Sequence, residues 1–325
     1  EALAAGRTLG QLPQDAEVSF REALTLNPQD REARLGLARA LRLEGQGEAA
    51  WKEALQTWSA SLRHEDWRVP DLLEVGRSAL AWTAERVNAG GGVPAAASTG
   101  VQALESAAKA GEAAAWLPLY DLYAWQNLFE AAADAAARGL SSGLAGDEIY
   151  GRLRGLGSHE RNLQIGTLER VREARPEDPR LAWYLGEALF FQGQETRRAM
   201  DVLKSAEVLD RAEEAFTLAQ SLEPSFAGSC EEWRHLLRVQ RAWLYRDDGR
   251  LAEAAEAVAA ALEAAPERLE AAPDPDSLRL AVDAVAADLF RSGRVADAAA
   301  FLRRICAAHD ANGDWMNNLG FFLRE

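Results

Sequence analysis

Gly139-Leu140-Ser141-Ser142-Gly143 has the G-x-S-x-G spacing of a nucleophile elbow. That chemistry needs a strand before the serine and a helix after it, so that a strained turn holds the hydroxyl clear of its neighbours. Here the preceding stretch, 131–138, is alanine-rich at helical spacing, and glycine is the residue a helix end takes. The segment reads as a helix terminus and loop. Gly45-Gln46-Gly47-Glu48-Ala49-Ala50 mimics the dinucleotide fingerprint G-x-G-x-x-A, again without a preceding strand, and reads as a turn between helices. The histidines are His64, His159, His235 and His309. None has the H-E-x-x-H spacing, and Cys230 and Cys306 build no C-x-x-C pair. His64-Glu65-Asp66, His159-Glu160 and His309-Asp310 set histidine beside carboxylate, but adjacent residues of a helix do not face one another, so these are surface pairs. No Walker-type phosphate loop is present. The chain nominates no catalytic residue, no metal ligand set and no cofactor.

The bulk composition narrows the partners. The 325 residues carry 36 basic and 51 acidic side chains, a formal charge of −15, and 48% are apolar. That is too apolar for a disordered chain and long enough for a sizeable core. The negative balance argues against nucleic acid, whose binders draw most of their affinity from Lys and Arg on phosphates. It also opposes binding to an anionic membrane surface. No apolar run approaches the roughly 20 residues of a spanning helix. Only Lys52, Lys109 and Lys204 are lysine, and the two cysteines are read as free and packed. Both termini fall inside helix-like patterns, so the sequence reads as a piece of a longer protein and leaves the compartment open.

The elements that hold these residues repeat. Ala16, Phe20, Ala23 and Pro28 follow intervals of 4, 3 and 5, and the intervals recur at Ala212-Phe216-Ala219-Pro224 and Ala254-Val258-Ala261-Pro266. Partial copies stand at Ala50-Ala54 and Ala298-Leu302-Ile305. Five residues before the leading alanine comes a glycine, at Gly45, Gly249 and Gly293. Further upstream an apolar residue precedes a small one, at Leu37-Ala38, Leu185-Gly186, Val285-Ala286 and Leu319-Gly320. Spacings of 3 and 4 lie on one helix face. Small residues let two helix axes approach while a phenylalanine fills the space beside them. The glycine ends one helix in a left-handed cap and the proline stops the next. One such pair cannot bury its apolar face alone, so neighbours must stack.

This pattern resembles the tetratricopeptide repeat (TPR) family, in the form of a bacterial-type solenoid. The resemblance implies an all-α fold: a right-handed α-solenoid of antiparallel helix pairs, a TPR-like superhelix. Three segments are expected: TPR-like pairs over 1–63, degenerate helical pairs over 64–176 with a flexible Gly-rich loop at 88–98, and TPR-like pairs over 177–325. No strand is expected, since long alternating β-branched runs are missing. From Gly193 to Ala212 the spacing exceeds the repeat by 14 residues, close to four helical turns. This predicts helix running from Glu195 into Ala212, an elongated second helix projecting up to about 20 Å at ~1.5 Å per residue. Its neighbour begins early, near Ser229, so elongated helices are expected over 195–245.

The resemblance also implies that the first helix of each pair lines a concave groove. On that basis the groove positions are Arg39, Arg42, Trp183, Glu187, Phe191, Trp243, Arg246 and Phe321. Aromatics flanked by arginine suit a protein-binding surface, because Trp and Arg are enriched among interface hot spots. The implied function is a non-catalytic scaffold for a protein or peptide partner; homo-oligomers stay open. A regulatory or sensor arm of a larger enzyme is the alternative. The carboxylate clamp of TPR co-chaperones, with Lys and Asn at fixed positions, has no counterpart here: the equivalent pairs read Leu35/Arg39, Leu117/Asp121, Trp183/Glu187, Val239/Trp243 and Asp283/Ala287.

Overall fold

The computed structural model describes residues 12–61, 68–142, 146–155, 161–265, 277–308 and 313–324. Among these residues there are sixteen α-helices, two short 3-10 turns and no strand. The helices are α1 (Leu12–Leu26), α2 (Arg31–Leu43), α3 (Gly47–Ser61), α4 (Val69–Asn88), α5 (Ala96–Lys109), α6 (Trp116–Trp125), α7 (Phe129–Ser141) and α8 (Gly146–Gly155). They continue as α9 (Arg161–Ala174), α10 (Pro179–Arg198), α11 (Val202–Leu222), α12 (Ala227–Asp247), α13 (Leu251–Ala264), α14 (Leu278–Arg291), α15 (Val295–Ala308) and α16 (Gly313–Phe322). The chain divides into two compact units, residues 1–155 with 173–175 and residues 156–172 with 176–325. The division falls inside the expected middle segment.

The boundaries follow from local chemistry. The Asp30 carboxylate accepts a hydrogen bond from the Ala33 N–H at 3.0 Å and opens α2. Asp178 does the same for α10, accepting from Arg180 and Leu181 at 3.0 and 3.4 Å, with Pro179 in the first turn where no N–H is needed. Gly45, Gly249 and Gly293 have φ of 77°, 74° and 78°, ending α2, α12 and α14 in the left-handed conformation the sequence required of them. Asn127 takes that role after α6, with φ 58°.

Packing within the pairs is antiparallel and depends on missing side chains. A Cβ at Gly186 of α10 would lie 2.7 Å from the ring of Phe216 on α11, and one at Gly193 would lie 2.5 Å from Leu209. As one partner position rises along α10 the other falls along α11. Phe216 itself is fully buried. In the second unit one apolar cluster runs without interruption from Val239 of α12 to Phe322 of α16.

Two expectations change. The Gly193–Ala212 insertion does not form one long second helix. Met200, with φ 63°, takes the left-handed turn position seven residues beyond Gly193, so α10 and α11 are each longer by one heptad. Seven residues rise about 10 Å rather than 20. Gly193 itself stays helical, where its bare Cα admits Leu209, and the Ser205 hydroxyl donates to its carbonyl at 2.9 Å. The long α12 begins at Ala227, close to the expected start. Finally, the Gly-rich loop is shorter than 88–98 and is tied to the end of α4. Gly91 N–H donates to the Arg86 carbonyl at 2.9 Å and Arg86 Nε donates to the Gly92 carbonyl at 3.2 Å.

Candidate functional site

In the first unit the two predicted arginines turn toward a carboxylate on the next first helix. Arg39 Nε lies 3.3 Å from Glu74 Oε2 and Arg42 Nε lies 3.3 Å from Glu74 Oε1. Ser78 Oγ donates to the same Oε1 at 3.3 Å. Glu74 is 1% exposed, so these three donors take the place of water around its carboxylate. One turn earlier, Arg31 pairs with the buried Asp71 at 2.5 Å, and Arg68 bridges Asp71 and Glu32. Arg42 is largely spent on this pairing. The Arg39 side chain remains 57% exposed.

In the second unit the corresponding face is built from rings. Trp233, absent from the sequence prediction, sits at the centre: it stacks on Phe216 at 5.6 Å and meets Phe190, Phe191 and Trp183 edge-on at 5.1, 5.8 and 6.3 Å. These separations and tilts suit the ring quadrupoles. Trp183 and Phe191 are half-buried in this cluster, and the Arg161 guanidinium lies 5.2 Å from the Phe191 ring centre. Glu187 is buried between them in sequence and offers little surface.

A second row follows along α10, α12, α14 and α16. Trp243 lies between two guanidinium groups, Arg197 at 5.7 Å and Arg246 at 5.3 Å. Arg197 pairs with Asp247 at 2.7 Å and Arg246 with Asp288 at 2.7 Å. Trp315 Nε1 donates to Asp283 at 2.6 Å, and Phe290 meets Phe321 at 5.4 Å. Trp243 is 8% exposed and belongs to the core cluster. As a direct contact for a partner it is therefore covered, by its own flanking cations and by α14. Arg246 is half-buried, and Phe321, 44% exposed, is the most open aromatic of the row.

The remaining reactive groups are structural in their surroundings. The Ser141 and Ser142 hydroxyls donate to the carbonyls of Ala137 and Gly139 at the end of α7, as a helix terminus requires. Burial pushes the Asp121 carboxyl up while its ion pair with Arg152, at 2.9 Å, opposes the rise. Cys230 is buried and Cys306 half-buried; both are free, and burial pushes both thiols up. His235 is buried, whereas His64, His159 and His309 lie outside the described residues. Among the described residues no group of three or more His, Cys, Asp or Glu could hold a metal ion, and no helix is long and apolar enough to cross a membrane.

No protein-family model matches the chain, and no curated protein matches it. Solved structures with similar helical arrangements include the C-terminal part of a TPR repeat-containing protein from Cytophaga hutchinsonii, with 14% identity over 95% of each chain and a TM-score of 0.35. The TPR domain of P58(IPK) is 14% identical over 99% of this chain and 94% of its own, with a TM-score of 0.29. The APC/C hetero-tetramer Cut9-Hcn1 is 14% identical over 96% of this chain, which spans about half (53%) of the matched chain, with a TM-score of 0.30. The fold is carried by the chain's own geometry: short-turned antiparallel pairs, glycine caps at Gly45, Gly249 and Gly293, and a phenylalanine set against a bare Cα at Gly186. The described residues form an all-α assembly of antiparallel helix pairs.

Proposed function

We propose that this chain is a non-catalytic protein-interaction scaffold that holds a peptide or partner domain against the faces of its first helices. The observation that supports this reading is the row at the α12–α14–α16 end of the second unit. There Phe321 stands open beside Phe290, and Asp288, also on α14, pairs with Arg246 and Arg291. An exposed ring on one first helix and ion-paired guanidinium groups on the two before it supply an apolar anchor and donors for carboxylates and backbone carbonyls. Phe191, under the Arg161 guanidinium, offers a second anchor on α10.

A random-peptide display selection against the wild-type chain tests this. Selected peptides should lose at least tenfold in affinity, about 1.4 kcal/mol, for Phe321→Ser and for Arg246→Glu, with helicity by circular dichroism unchanged. Arg304→Ser, on the second helix α15 where Arg304 pairs with Glu256 and Glu263, should bind as wild type. Peptides that ignore the first-helix substitutions and respond to Arg304→Ser would overturn the assignment.

A further inference from the structure

Between α9 and the α10–α11 hairpin lies a cleft of about 180 Å³. Part of its lining is apolar: Ala182, Leu185 and Leu189 of α10 and Ala215 of α11 are buried, and Leu218 is half-buried beside them. Alanine at two of these five positions leaves room that a larger side chain would fill. The rest of the lining is charged and comes as two couples of matching spacing. Glu169 and Arg172 stand three apart on α9, and Arg211 and Glu214 three apart on α11, with the order of sign reversed. The first members join, Arg211 to Glu169. The second members do not: among the described residues Arg172 and Glu214 make no ion pair or hydrogen bond, and Arg172 Nε is shielded from solvent. The other carboxylates of this stretch, Asp210 and Glu213, are held by Arg241 of α12 at 2.8 and 2.5 Å. A shielded guanidinium nitrogen without an acceptor costs free energy that an acceptor from outside would recover.

The geometry points to a binding site for a free α-amino acid with an aliphatic side chain. Its carboxylate would meet Arg172, its ammonium Glu214, and its side chain Leu185, Leu189 and Leu218. Two unpaired charges of opposite sign on one cleft define a ligand that carries both signs close together. A simple carboxylate satisfies Arg172 but faces Glu214, and a simple amine does the reverse. A peptide end brings only one of the two charges. The volume sets the size: it lies just above the ~150 Å³ cavity that takes benzene and below the ~300 Å³ at which pockets for drug-sized ligands begin. The apolar lining selects the side chain, since a polar one would lose its water against three leucines. Ala182, Leu185 and Leu189 lie on the opposite side of α10 from Trp183, Glu187 and Phe191, at 3.6 residues per turn. Occupancy of the cleft is therefore separable from partner capture on the first-helix faces.

The test titrates L-leucine into the whole chain by calorimetry, with L-isoleucine, L-valine and L-methionine alongside. Saturable binding of at least one is expected, with a Kd below about 1 mM. Isocaproate lacks the ammonium of leucine, isopentylamine lacks its carboxylate and glycine lacks its side chain; each should bind at least tenfold more weakly. In the protein, Arg172→Gln and Glu214→Gln should each weaken amino-acid binding at least tenfold. Helicity and melting temperature should hold in both, because neither side chain has a partner to lose. Phe321→Ser, on α16, should bind as wild type. No saturable binding of any of the four amino acids overturns the proposal, as does binding that survives both glutamine substitutions. Isocaproate binding as tightly as leucine would assign the cleft to a simple carboxylate and overturn the zwitterion reading. A lower melting temperature in both variants, without amino-acid binding to the wild type, would show Arg172 and Glu214 paired with each other and overturn it too.

Discussion

The first helices of the two units are joined to their neighbours by opposite means. Between α2 and α4 the central contact is ionic: a fully buried carboxylate, Glu74, bound by two guanidinium groups and a hydroxyl. Between α10 and α12 it is aromatic, with Trp233 wedged among Phe190, Phe191 and Phe216. The same repeat thus admits two solutions to stacking. The ring cluster draws its energy from area removed from water and has weak directional demands. The Glu74 site gives little net energy but tolerates one geometry, because a displaced guanidinium leaves a buried charge exposed to no solvent. The polar contact therefore fixes register, and the aromatic contact supplies cohesion.

The largest effect should come from removing a ring. Phe216→Ala should destabilise the second unit by roughly 3–5 kcal/mol, through lost transfer energy and a cavity under Gly186. Alkylation of Cys230, which is fully buried, gives a direct reading: its labelling rate should rise with the opening equilibrium. Glu74→Gln keeps the shape and removes the charge. It should cost about 1.5–3 kcal/mol, the value of hydrogen bonds to a charged group, and should appear as faster amide exchange in α2 and α4. If the two substitutions cost the same, the distinction between cohesion and register fails. Met200→Gly works in the other direction. It should stabilise by about 1 kcal/mol, since a left-handed conformation costs a residue with a Cβ about 1–2 kcal/mol and glycine returns part of that through its own entropy. Smallest of all, Arg39→Ala should cost under about 1 kcal/mol, because its side chain is mostly in water and Arg42 remains on Glu74. A larger cost at Arg39 than at Arg42 would show that the exposed guanidinium, not the shielded one, holds the carboxylate.

The pairs were legible because their punctuation is chemical. Gly45, Gly249 and Gly293 stand where φ must be positive, and Ala212, Phe216 and Ala219 stand where axes must approach. The insertion after Gly193 was legible in length but not in its division. Good helix formers run through Arg198-Ala199-Met200, and no glycine marks the turn that Met200 makes. The site was legible in composition and less so in orientation. Arg39 and Arg42 were expected at groove positions and pair with Glu74, yet nothing local separates Glu74 from the other acidic residues of an acidic chain. Trp243 was visible as an aromatic, but its burial depends on Arg197, on another helix. Contacts that cross from one pair to the next are set by packing, and periodicity within a single helix does not record them.

The heptad added to each of α10 and α11 gives the long hairpin the character of a removable module. Excision of residues 194–207 joins Gly193 to Val208, which restores a glycine five residues ahead of Ala212, the spacing found at Gly45, Gly249 and Gly293. The residue at the new junction is the one type able to change from helical to left-handed backbone without a steric penalty. The base of the hairpin, where Gly186 receives Phe216, lies outside the excised segment. Its distal contact, Arg197 on Asp247 and Trp243, would leave with it. Hairpin length at this point of the chain is thus a variable that can change by whole heptads, in evolution or in engineering, while the rest of the fold stays in phase.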